Sequence, residues 1–164
     1  MSEGGAGTGG AARGEGLPGD DAFRKRHWTP GEAVAGAVDM LRDAPAVVGA
    51  LRADRVDPAL REKLMLAVTA VNDCRHCARI HTSLADRAGV DDATIDRILA
   101  SEIDGVVEEG ERPALLFARA YADADGDPPA EEVAALREAY GPAMAGDVRA
   151  YVRAIHRANM AGNT

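Results

Sequence analysis

Two short signals constrain this chain more than anything else in it. Thr29, Pro30 and Glu32 combine an N-cap, a proline at the first helical position and a capping-box glutamate. Asp57 and Pro58 repeat the cap-then-proline pair. In each case a side-chain oxygen takes up an orphan backbone N–H, while the proline lacks a donor that the first turn could not use. No run alternates convincingly with the period of two that a half-buried strand requires. The expected fold class is therefore all-α.

The same punctuation divides the rest of the chain. The first helix should run to about Asp43 and bury Val34, Ala37, Val38 and Leu41, with a second short one from Ala44 to Ala53 because Pro45 suits a first turn. A strongly apolar helix follows Pro58, carrying Leu60, Leu64, Met65, Ala67, Val68 and Val71, until Asn72 and Asp73 interrupt it. The next starts around Cys74 and stops at Gly89, a plausible C-terminal glycine. Asp91 and Asp92 cap a helix with Ile95, Ile98 and Leu99. Another begins near Glu111 and buries Leu115, Leu116, Ala118 and Tyr121. After a loop from Ala124 to Pro129, a helix to Tyr140 is broken by Gly141 and Pro142, and the last runs from about Met144 to Met160. Seven or eight helices are expected.

Composition agrees and narrows the function classes. Aromatic residues are only 4%, and β-branched residues are sparse beside alanine, leucine and arginine. Residues 1–28, rich in glycine and nearly devoid of large apolar side chains, read as a disordered tail, with His27 and Trp28 a packing anchor at its edge. Residues 29–164 read as one helical domain. The net charge of -8, without an extended Lys/Arg block, argues against nucleic-acid binding. No apolar stretch approaches the roughly 18 residues of a spanning helix, and no signal-peptide core stands at the start. The expected location is the cytoplasm, where two cysteines three positions apart are more often catalytic or metal-binding than a structural staple.

The chemistry concentrates between Glu62 and His81. On a helix Cys74 and Cys77 stand one turn apart, about 60° round, and His81 returns to within about 20° of Cys74. The three share one face, so the sulfurs can close a disulfide beside an imidazole. A helix start at Cys74 would favour its thiolate through unsatisfied N–H groups and the macrodipole. Glu62, about 120° off that face in a continuous helix, reaches it only if the chain bends at Asn72 and Asp73. His76 projects roughly opposite Cys74.

Glu62, then Cys74-Arg-His-Cys77-Ala-Arg-Ile-His81, resembles the active-site signature of the alkylhydroperoxidase D-like family, part of the carboxymuconolactone decarboxylase superfamily of helical proteins. Leu66 to Asn72 is similar to that family's apolar lead-in, and the resemblance spans roughly Pro30 to Asn159. It implies a thiol-dependent hydroperoxidase or disulfide reductase with Glu62, Cys74, His76, Cys77 and His81 as catalytic residues. Cys77 would attack the peroxide and Cys74 resolve the sulfenic acid. Glu62 and His81 would relay protons, with His76 assisting. The dipole argument alone favours Cys74 as the more acidic thiol, so the two arguments disagree. The resemblance further implies no bound cofactor or metal and an external dithiol reductant, a lipoyl- or thioredoxin-type protein. It also implies assembly as a homotrimer or homohexamer. The motif stands mid-chain, a layout closer to the family's peroxidase-related branch. Decarboxylase members lack the cysteine pair, so lactone decarboxylation is not expected.

Other readings compete with this one. Cys74, Cys77 and His81 with Glu62 or His76 could hold zinc in a stabilised or redox-sensing interaction module, but no second CxxC or HxxxH supplies the usual other half. The cysteines could be an inert buried pair in a helical scaffold. His156, beside Arg153 and Arg157, reads as a surface or interface histidine. Asp123, Asp125 and Asp127 mimic the start of a calcium loop, yet Pro128 and Pro129 follow and Ala134 stands where the glutamate is needed.

Overall fold

The computed structural model describes residues 27–164 and builds them from helices alone. These are α1 (Pro30–Ala53), α2 (Pro58–Asn72), α3 (Arg75–Arg87), α4 (Asp92–Leu99), α5 (Arg112–Asp123) and α6 (Ala130–Asn163). The tail expected over residues 1–28 lies outside the described residues except for His27 and Trp28.

Side chains expected as caps act as caps. The Thr29 hydroxyl accepts from the Glu32 amide at 3.4 Å, and the Glu32 carboxylate accepts from the Thr29 amide at 2.7 Å. Asp57 accepts from the Ala59 amide at 2.8 Å and Asp91 from the Thr94 amide at 3.0 Å. These starts set the lengths of α1, α2 and α4 before any packing is considered.

α2 is the central element and packs against α3, α4, α5 and α6. Its Leu64, Leu66, Ala67 and Val68 are all buried although they point in several directions, as a helix enclosed by neighbours requires. Leu115, Phe117 and Ala118 of α5 and Leu136, Val148 and Val152 of α6 complete the core around it. Trp28 packs against Gly36, where a Cβ would collide with the indole, so the anchor needs that glycine.

Three expectations need correction. First, Pro45 does not start a new helix but lies inside α1. Its ring costs the Leu41 carbonyl its partner four residues on, but both residues are exposed, so water can take the bond. α6 also holds α1 on both sides of the proline. Asp39 and Asp43 pair with Arg157, Asp43 pairs with Arg153 at 2.9 Å, and Ala50 is buried beyond. Second, the apolar face expected to be buried is turned outward. Val34 is 69% and Leu41 77% exposed, while Gly36 and Ala50 face the core. Third, the described residues form six helices, two fewer than the finest division. Gly141 and Pro142 still break the rod: Gly141 sits at φ 71°, ψ 170°, and α6 is two helical pieces joined across that kink.

Candidate functional site

The site forms where α2 stops. Asn72, fully buried, ends the helix, and Asp73 turns the chain through the left-handed region at φ 49°, which aspartate tolerates better than most residues. Cys74 follows as the N-cap of α3, with no side-chain cap hydrogen bond of its own. This is the bend the spacing required, and it lays α3 back against α2.

Two consequences are visible at once. The sulfurs of Cys74 and Cys77 are joined in a disulfide, with Cα atoms 5.3 Å apart. On the facing helix Glu62 is buried, and its Oε2 lies 2.9 Å from His81 Nδ1. Burial opposes ionisation of Glu62, but the hydrogen bonds from His81 and Arg61 outweigh it. They hold the carboxyl below the usual carboxylate range. An ionised carboxylate only accepts, so Nδ1 of His81 carries the proton and Nε2 is left to exchange one. Arg61, whose Nε donates to Glu62 Oε1 at 3.2 Å, completes the chain of charges. The structure therefore brings together Glu62 with His81 and Cys74 with Cys77, the latter pair on the same helix as His81. His76 stands exposed on the intervening turn, apart from the Glu62–His81 contact.

Both cysteines are buried, Cys74 at 1% exposure and Cys77 at 8%. Part of the cover comes from α6. A Cβ built on Gly162 would stand 3.4 Å from Cys74 Sγ and 3.6 Å from Cys77 Sγ, so that turn passes close by the bond. It is pinned by Asn163, whose side-chain amide donates to the Asn72 carbonyl at 2.8 Å, and by the Thr164 hydroxyl, which accepts from the Trp28 amide at 3.1 Å.

Sequence reasoning missed a buried polar seam beneath this cover. Asn159 pairs with Thr69 at 3.2 Å, and His156 Nδ1 faces Asn72 Nδ2 at 3.2 Å. The expectation of a surface His156 is thus overturned: it is buried, with Nε2 3.3 Å from Asp125. Its position four residues past Val152, on the stripe that continues to Asn159 and Asn163, was the available signal. Among the described residues no group of three or more His, Cys, Asp or Glu is arranged to hold a metal ion.

Fold and site define an all-α protein with a CxxC disulfide at the start of the helix whose His81 pairs with a buried glutamate. Residues 39–124 match the model of the carboxymuconolactone decarboxylase family, and the match takes in more than half of the chain. The chain belongs to that family. No curated protein and no solved structure matches it. Among the described residues no helix is long and apolar enough to cross a membrane.

Proposed function

We propose that this protein is a cytoplasmic thiol-dependent hydroperoxidase and disulfide reductase of the alkylhydroperoxidase D-like kind. The Cys77 thiolate attacks the distal peroxide oxygen, the O–O bond breaks, and the alkoxide leaves as alcohol after taking a proton. Cys74 then attacks the resulting Cys77 sulfenic acid, water departs and the disulfide forms. Two electrons have passed from the dithiol to the peroxide. His81, oriented through Nδ1 by Glu62, handles the protons, and His76 assists from the exposed side. No bound cofactor takes part; a lipoyl- or thioredoxin-type dithiol restores the thiols.

The observation that carries this reading is the closed Cys74–Cys77 bond on the same helix as a histidine already oriented by a buried carboxylate. Cys77 is the less deeply buried of the two residues, which supports its role in meeting peroxide, whichever thiol the helix dipole makes more acidic. The test is dithiol-coupled consumption of an alkyl hydroperoxide. Cys77→Ser should lose about 10³-fold or more of the rate, the scale expected when a nucleophile is removed, and Cys74→Ser should accumulate a sulfenic acid detectable by mass spectrometry. Full-rate consumption by Cys77→Ser sinks the mechanism. A disulfide that opens and closes without turnover would instead identify a redox sensor.

The proposal extends to self-association as a homotrimer or homohexamer. Its support is the outward face of α1, where Val34, Leu41 and Val48 recur every seven residues with Val38 and Leu51 beside them, all exposed. A charge-poor apolar strip is where copies of a chain with net charge -8 can meet with little like-charge repulsion.

A further inference from the structure

Between the first half of α1, the end of α5 and the last part of α6 lies a cavity of about 300 Å³, at the lower end of the sizes that hold small molecules. None of the residues assigned to the thiol chemistry lines it. Two aromatic side chains do, Trp28 and Tyr121. The indole is held at its edge by the seat on Gly36. The Tyr121 ring is buried, its centroid 5.6 Å from that of the buried His156, which it meets edge-on. His156 also lines the cavity.

Charge decides what such a space can take. Among the described residues Arg157 is the one lysine or arginine in the lining, and both Asp39 and Asp43 pair with it. A guanidinium shared by two carboxylates has little left for an anion. Glu32 and Asp125 line the cavity as well, and neither is ion-paired with a lysine or arginine of the described residues. Hydrogen bonds from the Thr29 amide and hydroxyl hold the Glu32 carboxyl below the usual carboxylate range, so it is ionised at neutral pH. Asp125, exposed, faces His156 Nε2 at 3.3 Å. The cavity therefore offers a cation two aromatic rings and two carboxylates.

We propose that this cavity binds a small organic ammonium ion, held against the side chains of Trp28 and Tyr121 with the Glu32 and Asp125 carboxylates beside it. The negative face of an aromatic ring attracts a cation, tryptophan most strongly, and the attraction grows as water is excluded. The carboxylates add a longer-range pull that salt screens. An alkylammonium also covers the apolar ring surface that a hydrated metal ion would leave wet. A neutral ligand of the same shape gains only the apolar contact, and an anion meets the carboxylates without a free guanidinium to offset them. The site stands apart from the cysteines and does not depend on their chemistry.

Three probes of similar shape and different charge provide the test: choline, its neutral carbon analogue 3,3-dimethylbutan-1-ol, and the anion 3,3-dimethylbutanoate. Each is titrated by calorimetry into the full-length protein at about 20 mM salt, where screening is weak. The emission of Trp28 is followed in parallel. Choline should bind with a dissociation constant of about 1 mM or lower and about tenfold more tightly than the alcohol, and the anion should not bind. Asp125→Asn should weaken choline by about three- to tenfold and leave the alcohol unchanged. Trp28→Leu should remove most of the choline binding. Because that variant also removes an anchor of α1, the exposed Asp125 carries the assignment, with circular dichroism showing the fold retained. Equal binding of choline and the alcohol, tighter binding of the anion, or no choline binding up to about 10 mM overturns the proposal. Choline binding that neither variant changes places the ligand elsewhere and overturns it too. None of these outcomes touches the peroxidase reading, which the coupled peroxide assay tests separately.

Discussion

Glu62 shows how one side chain links stability to chemistry here. Its carboxylate is buried, yet His81 and Arg61 keep it ionised below the usual carboxylate range. A depressed acid stabilises the fold fully above its unfolded value of about 4.3, and that contribution is lost as pH falls through the lower folded value. Glu62→Gln should therefore cost about 1–3 kcal/mol near neutral pH, the scale of a charge-assisted hydrogen bond. In thermal melts the gap between variant and wild type should narrow as pH falls below the unfolded value of about 4.3 and through the lower folded one. A gap that stays constant throughout that acid range would mean that shape, not charge, is what Glu62 supplies. Spacing showed only that Glu62 reaches the dithiol face if the chain bends at Asn72 and Asp73; its pairing with His81 was implied by the family resemblance. The part of Arg61 was not legible, because neighbouring helical residues point about 100° apart and nothing local says that their ends will meet.

Among the elements, α1 teaches the most. Its caps were readable because they are local chemistry, a hydroxyl, a proline and a glutamate within four residues. Its inside and outside were not. Val34, Leu41 and Val48 form a regular apolar stripe, but periodicity reports a face and not what covers it. The core instead receives Gly36 and Ala50, small residues that let α1 approach α6, while Asp39 and Asp43 are held by arginines of α6. Pro45 misleads for a related reason: whether it ends a helix depends on packing at both sides of it. Leu41→Asp should lower the apparent mass in light scattering to that of smaller species, with the helix content unchanged by circular dichroism. An unaltered mass would show that the copies meet elsewhere. α6 raises the converse difficulty. His156 read as a surface or interface residue, yet it joins Asn159 and Asn163 in a seam whose partners Asn72 and Thr69 come from α2, far away in the chain.

At the scale of the whole molecule, the dithiol lies at a junction of α2, α3 and the last turn of α6, with Trp28 tied to that turn. The order of contacts is short: Gly162 leaves no more than the space of a Cβ before both sulfurs, Asn163 holds Asn72, and Thr164 holds the backbone of Trp28. The chain has one tryptophan. Its indole lies against Gly36 and is tethered a few residues from the bond that opens and closes in turnover. The protein thus contains its own optical probe. Emission spectra in oxidant and in reductant should differ for the wild type and coincide for Cys77→Ser, and stopped-flow traces of that signal would time each half of the cycle without a label. Identical wild-type spectra would mean that the turn around Gly162 does not register the state of the sulfurs.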